Sequence, residues 1–191
     1  MLKSYQKSKE ENIGLNNLTA YFAGGCFWCI TPFFYDQNGV KSVKSGFSGG
    51  DEESPKYEDV KNQKTGHRET IAVEYDPSAV SYEALLKIFL SRTDLFDSEG
   101  QFIDRGHSYT LAVYYTDLAE KAEALKLISE IEKDTGKKVF VSVEPFKSFY
   151  EAEEYHQDYF RKNPEAFEKE ILESGRASCP LFAGYNWKKN V

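Results

Sequence analysis

The amino-acid sequence predicts an α+β protein in which helices pack on one mixed sheet. The chain has 191 residues, a length that fits one domain better than two. Hydrophobic residues make up 40% and charged residues 29% of the chain, as is typical of globular proteins. Between the turn signals, the patterns run strand, helix, strand, strand, helix, strand, helix, strand. That order predicts a sandwich of helices on a sheet.

Local patterns predict each element. Residues 18–23 (LTAYFA) form a predicted buried strand that Gly24-Gly25 ends, and a helix is predicted to begin near Cys26. Two longer helices are predicted to start at Ser81 and at Asp117, the second running to about residue 133. Residues 94–105 form a predicted long loop, a kind of segment that is often functional. The other predicted strands are 40–47, 69–75, 109–115 and 139–143, and the other predicted helical segments are 57–62, 152–161 and 164–174.

Composition argues against several classes of function. The net charge of −7 disfavours non-specific nucleic-acid binding and a basic membrane-binding patch. No apolar run approaches the roughly 18 residues of a membrane span. Residues 1–17 lack the apolar stretch of a secretory signal and are expected to form a flexible arm, ahead of a single domain at 18–175 and an irregular tail at 176–191. Without an export signal, the expected compartment is the reducing cytoplasm.

The chain has three cysteines, Cys26, Cys29 and Cys179. An odd, small number in a cytoplasmic chain does not indicate a structural disulfide framework, which leaves catalysis, metal binding or inert buried thiols. None of the three histidines lies at metal-ligand spacing from the cysteine pair, so no metal site is predicted. No G-x-G-x-x-G loop follows a strand, so no nucleotide cofactor is predicted.

Cys26 stands where a strand ends and a helix is predicted to start. Thiols react as thiolates, and a helix N-terminus lowers the pKa of a cysteine, so this position favours a reactive thiol. Phe27 and Trp28 can build an apolar wall beside it, and Cys29 lies three residues on, within reach for sulfur exchange. From this segment alone, a buried turn with two inert thiols is an equally good interpretation. A dithiol pair or half of a metal site also fits Cys-x-x-Cys.

The wider sequence context is more specific. Residues 19–34 (TAYFAGGCFWCITPFF) resemble the active-site segment of the peptide methionine sulfoxide reductase A family. Further segments match that family in order, and the resemblance covers residues 19–164, most of the chain. These segments are 45–50 (SGFSGG), 55–60 (PKYEDV), 65–77 (TGHRETIAVEYDP), 104–115 (DRGHSYTLAVYY) and 155–164 (YHQDYFRKNP).

The resemblance implies a fold and an activity. The fold would be a ferredoxin-like two-layer α/β sandwich with a mixed sheet and extended termini, and the domain at 18–175 would be catalytic. The activity would be that of a peptide-methionine (S)-S-oxide reductase, which repairs oxidised proteins and needs no cofactor. Its substrate would be methionine-S-sulfoxide in proteins or peptides, with the free amino acid as a second candidate.

The resemblance also assigns roles. Cys26 would be the nucleophile, and Phe27 with Trp28 would bind the substrate methyl group. Glu69 would be the proton donor, since a sulfoxide sulfur is a poor electrophile until its oxygen is protonated and an apolar pocket would keep this acid neutral. The remaining polar groups of the site would be Tyr57 and Tyr109, with Asp104 in support.

Attack by Cys26 would give methionine and a cysteine sulfenic acid, which a second thiol converts to a disulfide. The family implies thioredoxin as the reductant that restores the enzyme. Many family members have glycine at the position of Cys29, and the family often places resolving cysteines in a C-terminal tail, where Cys179 lies. Either cysteine, or a relay through both, fits the sequence.

Two other functions compete with the reductase. One is a thioredoxin-like dithiol exchanger that uses Cys26 and Cys29, although a later cis-proline signal is missing. The other is a non-enzymatic peptide-binding domain, in which Cys26→Ser would keep the function. A monomer is expected in each case.

Overall fold

The computed structural model describes residues 17–182, which form the following elements. The strands are β1 (Leu18–Gly24), β2 (Val40–Ser48), β3 (Arg68–Tyr75), β4 (Gly100–Gln101), β5 (Asp104–Arg105), β6 (Leu111–Tyr115), β7 (Val141–Pro145) and β8 (Tyr150–Glu151). The α-helices are α1 (Phe27–Ile30), α2 (Pro32–Tyr35), α3 (Tyr57–Lys61), α4 (Tyr82–Ser91), α5 (Leu118–Thr135), α6 (Tyr159–Lys162) and α7 (Pro164–Glu173). Short 3-10 helices span His107–Tyr109, Glu154–His156, Arg176–Ser178 and Pro180–Phe182.

One six-stranded sheet organises the described residues, in the order β7-β6-β1-β3-β2-β8. The pair β6–β7 is parallel, and the other neighbouring pairs are antiparallel. The sheet is therefore mixed and the fold is α+β, as the sequence predicted. The strands β4 and β5 form a separate small hairpin inside the predicted long loop.

The two faces of the sheet are buried unequally. In β1, Ala20 and Phe22 point into the main core, whereas Ala23 belongs to a small cluster with Ala112 and Tyr114 on the other face. This alternation is the period of two that a strand imposes on its side chains. The main core also takes the buried side chains of α4 and α5, so the helices cover one face.

The two long helices begin at capping residues found in the sequence. The Ser81 hydroxyl accepts the amide of Ala84 ahead of α4, and the Asp117 carboxylate accepts the amides of Ala119 and Glu120 ahead of α5. Each bond satisfies amide groups that have no partner inside the helix. These two predicted starts are confirmed.

The sheet topology brings one end of three adjacent strands together. Strand β1 is central and antiparallel to both β3 and β6, so its C-terminal end lies beside the first residues of its neighbours. Gly24 pairs with Leu111, and Phe22 pairs with Ile71. Cys26 follows β1, Glu69 lies at the start of β3, and Tyr109 immediately precedes β6, so the pairing alone gathers them at one edge.

The predicted helix at 152–161 is wrong. Within this range the chain instead forms a 3-10 turn and the start of the short α6, because Gln157 is extended and Asp158 adopts a left-handed φ of 53°. The Gln157 side chain accepts the amide of Ser45 at 2.9 Å and donates to the Ser45 and Ala152 carbonyls at 2.8 and 2.9 Å. The Gln157 side chain thus provides hydrogen-bond partners for backbone groups at the edge of β2, and a continuous helix at 152–161 would leave those groups without partners.

The predicted termini are only partly within the described residues. The arm at 1–17 lies outside them except for Asn17, whose side chain donates to Glu74 at 2.8 Å. Of the predicted tail, residues 176–182 form two 3-10 turns, while 183–191 lie outside the described residues. None of the helices between residues 17 and 182 combines the length and the apolar character of a membrane span.

Candidate active site

Cys26 caps the first turn of α1 and is only 8% exposed. Gly25, just before it, has a φ of 78°, a conformation that L side chains rarely adopt. A Cβ at Gly25 would also lie 2.7 Å from the Gln101 side chain. The second glycine of the motif therefore lets the chain leave β1 sharply and bring the thiol to the edge of the sheet.

The expectation that a helix N-terminus lowers the pKa of Cys26 is wrong for this structure. Helix α1 has a single turn, and the Phe27 amide donates to Glu69 instead of remaining free. A hydrogen bond with Cys29, then burial, then the Glu69 charge raise the pKa of Cys26 well above its ordinary value. Burial disfavours the charged form of a thiol and outweighs the small dipole of a four-residue helix.

Glu69 lies beside Cys26 in a dry environment. It is 2% exposed, and its Oε2 accepts the Phe27 amide at 3.0 Å. Burial raises the pKa of Glu69 to about 8, with a smaller contribution from the Asp104 charge, although the bonds from Phe27 and Tyr109 lower it. Glu69 is therefore a neutral acid at pH 7 that can give up its proton.

Two tyrosines complete the polar side of the site. Burial, followed by the Glu69 and Cys26 charges, raises the pKa of Tyr57. The pKa of Tyr109 rises for the same reasons, with Tyr57 and Asp104 also among its neighbours. Both phenols keep their protons and act as hydrogen-bond donors at neutral pH. The structure thus brings all five residues predicted for the catalytic step into one cluster.

Aromatic rings form the apolar side of the site. Phe27 and Trp28 lie 6.1 and 6.3 Å from the Tyr57 ring, centroid to centroid. Trp28 is stacked on Tyr159 at 3.9 Å, which fixes its indole plane. His156 packs 4.2 Å from Tyr57 and 5.3 Å from Phe27, and neither ring nitrogen has a hydrogen-bond partner among the described residues. Burial lowers the pKa of His156, so this ring is neutral and belongs to the aromatic wall.

The three cysteines are free thiols at different depths. Cys29 is 2% exposed, and its side chain hydrogen-bonds with Cys26. Cys179 is partly buried between the two 3-10 turns of the tail and packs against the main core. The structure therefore brings Cys29 into hydrogen-bonding contact with Cys26. No group of three or more histidine, cysteine or acidic side chains in the described part of the chain could hold a metal ion.

Comparison with known proteins places this site in a family. The family model described as "Peptide methionine sulfoxide reductase" matches residues 18–180. The chain belongs to the peptide methionine sulfoxide reductase family. The sequence resemblance is thereby confirmed, and so is the class of enzyme, an oxidoreductase.

Relatives in this reductase family align over most of the chain. A peptide methionine sulfoxide reductase MsrA of Streptococcus equi subsp. equi is 42% identical over 150 residues, 78% of this chain and 89% of the relative. MsrA 2 of Staphylococcus aureus strain Mu50 is 43% identical over 159 residues, 82% of this chain and 90% of the relative.

Solved structures of the same family share the fold. Reduced Mxr1 of Saccharomyces cerevisiae has a TM-score of 0.72 and 30% identity, covering 78% of this chain and 87% of that one. Methionine sulfoxide reductase A of Corynebacterium diphtheriae has a TM-score of 0.71 and 25% identity, covering 78% and 76%.

Sequence reasoning missed one charged residue of this reductase site, Arg176. Its side chain is buried, and its Nη2 donates to Asp104 Oδ2 at 2.6 Å and to the Gln101 carbonyl at 3.5 Å. The nearby Cys29 and Cys26 thiols and Asp104 raise the pKa of Arg176 against the effect of burial, so it stays charged. No local pattern indicates this role, because Arg176 and Asp104 are 72 residues apart in sequence.

Proposed function

We propose that this chain reduces methionine-S-sulfoxide in proteins to methionine, with Cys26 as nucleophile and Glu69 as proton donor. The observation that carries the proposal is a buried acid with a pKa of about 8, beside a buried thiol. A neutral acid and a nucleophile are the two groups that sulfoxide reduction requires in one place. The aromatic wall next to them suits an apolar methyl group.

The proposed step balances as an oxygen transfer. The Cys26 thiolate attacks the sulfoxide sulfur and forms an S–S bond with it, while Glu69 protonates the sulfoxide oxygen. The OH group then passes to the Cys26 sulfur: the substrate S–O bond and the new S–S bond break, an S–O bond forms on Cys26, and methionine leaves with the electron pair of the S–S bond. Cys26 is thereby oxidised to a sulfenic acid while the sulfoxide is reduced. Tyr57 and Tyr109 donate hydrogen bonds to the oxygen as charge develops on it.

Substrate selection is proposed to depend on the aromatic side of the site. Phe27 and Trp28 hold the methyl group, and stacking on Tyr159 keeps Trp28 in place. A fixed apolar wall opposite fixed proton donors distinguishes the two epimers of a sulfoxide, because the methyl group and the oxygen cannot exchange places without losing both contacts. The same local chemistry would accept free methionine sulfoxide.

Recycling is proposed to begin at Cys29. Its contact with Cys26 in the reduced protein supports a first disulfide between these two, formed with loss of water from the sulfenic acid. An i, i+3 pair can meet the Cα separation that a disulfide needs. Cys179 then serves as a second acceptor, and thioredoxin, as a dithiol reductant, restores the three thiols.

One assay tests the catalytic proposal. The protein is incubated with dithiothreitol and a peptide that carries one methionine-S-sulfoxide, and methionine formation is followed by mass spectrometry. Cys26→Ser should abolish product, whereas Cys29→Ser and Cys179→Ser should each complete one stoichiometric turnover without reductant. Absence of product from the unmodified protein would contradict the proposal.

A dithiol exchanger remains the second candidate, because the contact between Cys26 and Cys29 also suits exchange with protein disulfides. Cys26 is only 8% exposed, which disfavours direct attack on a bulky disulfide. Reduction of insulin with thioredoxin reductase and NADPH separates the two candidates. Insulin reduction without sulfoxide reduction would favour the exchanger.

We also propose a ferredoxin-like core, supported by the order β6-β1-β3-β2 with antiparallel neighbours. A single catalytic domain at 18–175 and a monomeric state stay predictions, and light scattering after size exclusion tests the latter. We propose the cytoplasm as the compartment, in keeping with three free thiols. Cell fractionation with an antibody to this chain tests this.

A further inference from the structure

Arg176 is a buried cation next to the proposed active site, because its Nη2 donates to the carbonyl of Gln101, whose side chain packs against Gly25, the residue before Cys26. It lies in the 3-10 turn Arg176–Ser178, after α7, and is 1% exposed. Its guanidinium lies 4.8 Å from the Phe102 ring centroid, and its Nη2 donates to Asp104 and to the Gln101 carbonyl. Its Nη1 is buried and has no hydrogen-bond partner within residues 17–182.

This arrangement leaves part of the cation uncompensated. A buried charge is costly unless it is paired and its hydrogen-bonding groups are satisfied. Asp104 engages one side of the guanidinium, while the Nη1 side has no acceptor among the described residues. Buried polar groups without a partner are rare and call for an explanation, such as a charge that appears during the reaction.

The charges around the thiols indicate which reaction charge this is. The pKa of Cys26 responds to Cys29 in helix α1, to Glu69 on β3 and to Arg176 from the tail. Tyr57 and Tyr109 adjoin the site from α3 and from the turn before β6. Cys29 and Glu69 disfavour a negative charge on Cys26, whereas Arg176 favours it.

We propose that Arg176 is a positioning residue that supplies the counter-charge for the thiolate formed at Cys26, with its second side held by Asp104. This inference rests on the proposed function for its role in catalysis. Its electrostatic part concerns the thiol alone and can be measured without any sulfoxide. The tail thereby contributes a charge to the site as well as a cysteine.

The test measures how fast iodoacetamide alkylates Cys26 between pH 6 and pH 10, with mass spectrometry distinguishing Cys26 from Cys29. Arg176→Met keeps the aliphatic chain and removes the charge. We expect it to raise the pKa of Cys26 by about one unit, so alkylation falls about tenfold at pH 8 and at every other pH below that pKa. Arg176→Lys keeps the charge, so its rate of Cys26 alkylation at pH 8 should stay within about threefold of the rate of the unmodified protein. That difference is smaller than the tenfold loss expected for Arg176→Met.

Arg92 offers a matched control. It also anchors the tail, because its Nη1 donates to the Leu181 carbonyl at 2.8 Å and its guanidinium lies 4.7 Å from the Phe33 ring. Its charge is not one of the main causes that shift the pKa of Cys26. Arg92→Met should therefore leave the alkylation profile unchanged. Equal shifts in Arg92→Met and Arg176→Met would assign the effect to tail packing and overturn the inference.

A second variant keeps the inference testable if Arg176→Met does not fold, as judged by circular dichroism. Asp104→Asn removes the carboxylate that shares the Arg176 charge, so alkylation of Cys26 at pH 8 should become faster. Slower or unchanged alkylation would contradict the inference. If the unmodified protein reduces the sulfoxide but Arg176→Met leaves the pH profile of alkylation unchanged, only this inference is overturned. If Arg176→Met shifts that profile but the unmodified protein reduces no sulfoxide, only the proposed function is overturned.

Discussion

Replacement of Glu69 by glutamine is expected to slow sulfoxide reduction and, at neutral pH, to stabilise the folded protein. The pKa of Glu69 rises from an ordinary value of 4.5 to about 8 in the fold. Between these two values the unfolded chain has released the proton and the folded chain still holds it. The free energy of unfolding therefore falls as the pH rises from 4.5 to about 8. Glutamine has no proton to release, so the variant avoids this loss.

The expected size follows from the interval between the two pKa values. At about 1.36 kcal/mol per unit, the advantage of Glu69→Gln is under ~1 kcal/mol at pH 5, about 3 kcal/mol at pH 7 and about 5 kcal/mol above pH 8. The amide oxygen can still accept the Phe27 amide, as the neutral acid does. Activity should fall by about 10²–10⁴-fold, the usual contribution of a general acid.

Urea unfolding of both proteins at pH 5, 7 and 8.5, with a reductant present, measures the effect. Glu74→Gln on the same strand is the control. Hydrogen bonds from Asn17 and Ser42 lower the pKa of Glu74, so its replacement should destabilise the fold at neutral pH. A Glu69→Gln advantage that stays constant from pH 5 to pH 8.5 would refute the reasoning, because it would mean that Glu69 is not held neutral.

Three further predictions concern the thiol. The kcat/KM for a sulfoxide peptide should rise about tenfold per pH unit from pH 6 to about 8 and then level off. The reason is that the reactive form of the enzyme combines protonated Glu69 with ionised Cys26. A flat profile between pH 6 and pH 8 would mean that Cys26 is already ionised. Cys29→Ala should speed alkylation of Cys26 at pH 8, because the bond to Cys29 is the largest cause of its raised pKa; Cys179→Ala is the control and should have no effect. Gly25→Ala should destabilise the fold by about 2 kcal/mol and lower kcat. The control Gly136→Ala, at a φ of 67° with no atom within 4 Å of the added Cβ, should lower stability alone. Equal activity of the two variants would show that the Gly25 turn does not position Cys26.

Features carried by neighbouring residues could be predicted from the sequence. The Ser81 and Asp117 caps act on amides two or three residues away, and the β1 pattern is a simple alternation. Cys26 and Glu69 were predicted because family motifs include them, and the antiparallel pairing of β1 with β3 then explains why they meet.

Features that depend on distant partners could not be predicted. Gln157 breaks the predicted late helix through bonds to Ser45, 112 residues away in sequence. The raised pKa of Cys26 depends on its burial and on the charge of Glu69, which a strand-to-helix pattern does not reveal. The tail showed no periodicity, so the pairing of Arg176 with Asp104 had no sequence signal.

The convergence of β1, β3 and β6 at one edge has a consequence for protein engineering. A shift of one residue in the β1–β3 register would turn Glu69 to the opposite face of the sheet, so we expect a length change between Gly66 and Glu69 to abolish activity. At the far end of β2, the pairing with β3 already contains an irregularity between Val40 and Ser42. Inserted tags or extended loops are therefore best placed at that end, where an added residue alters the connection and leaves the reacting groups in place.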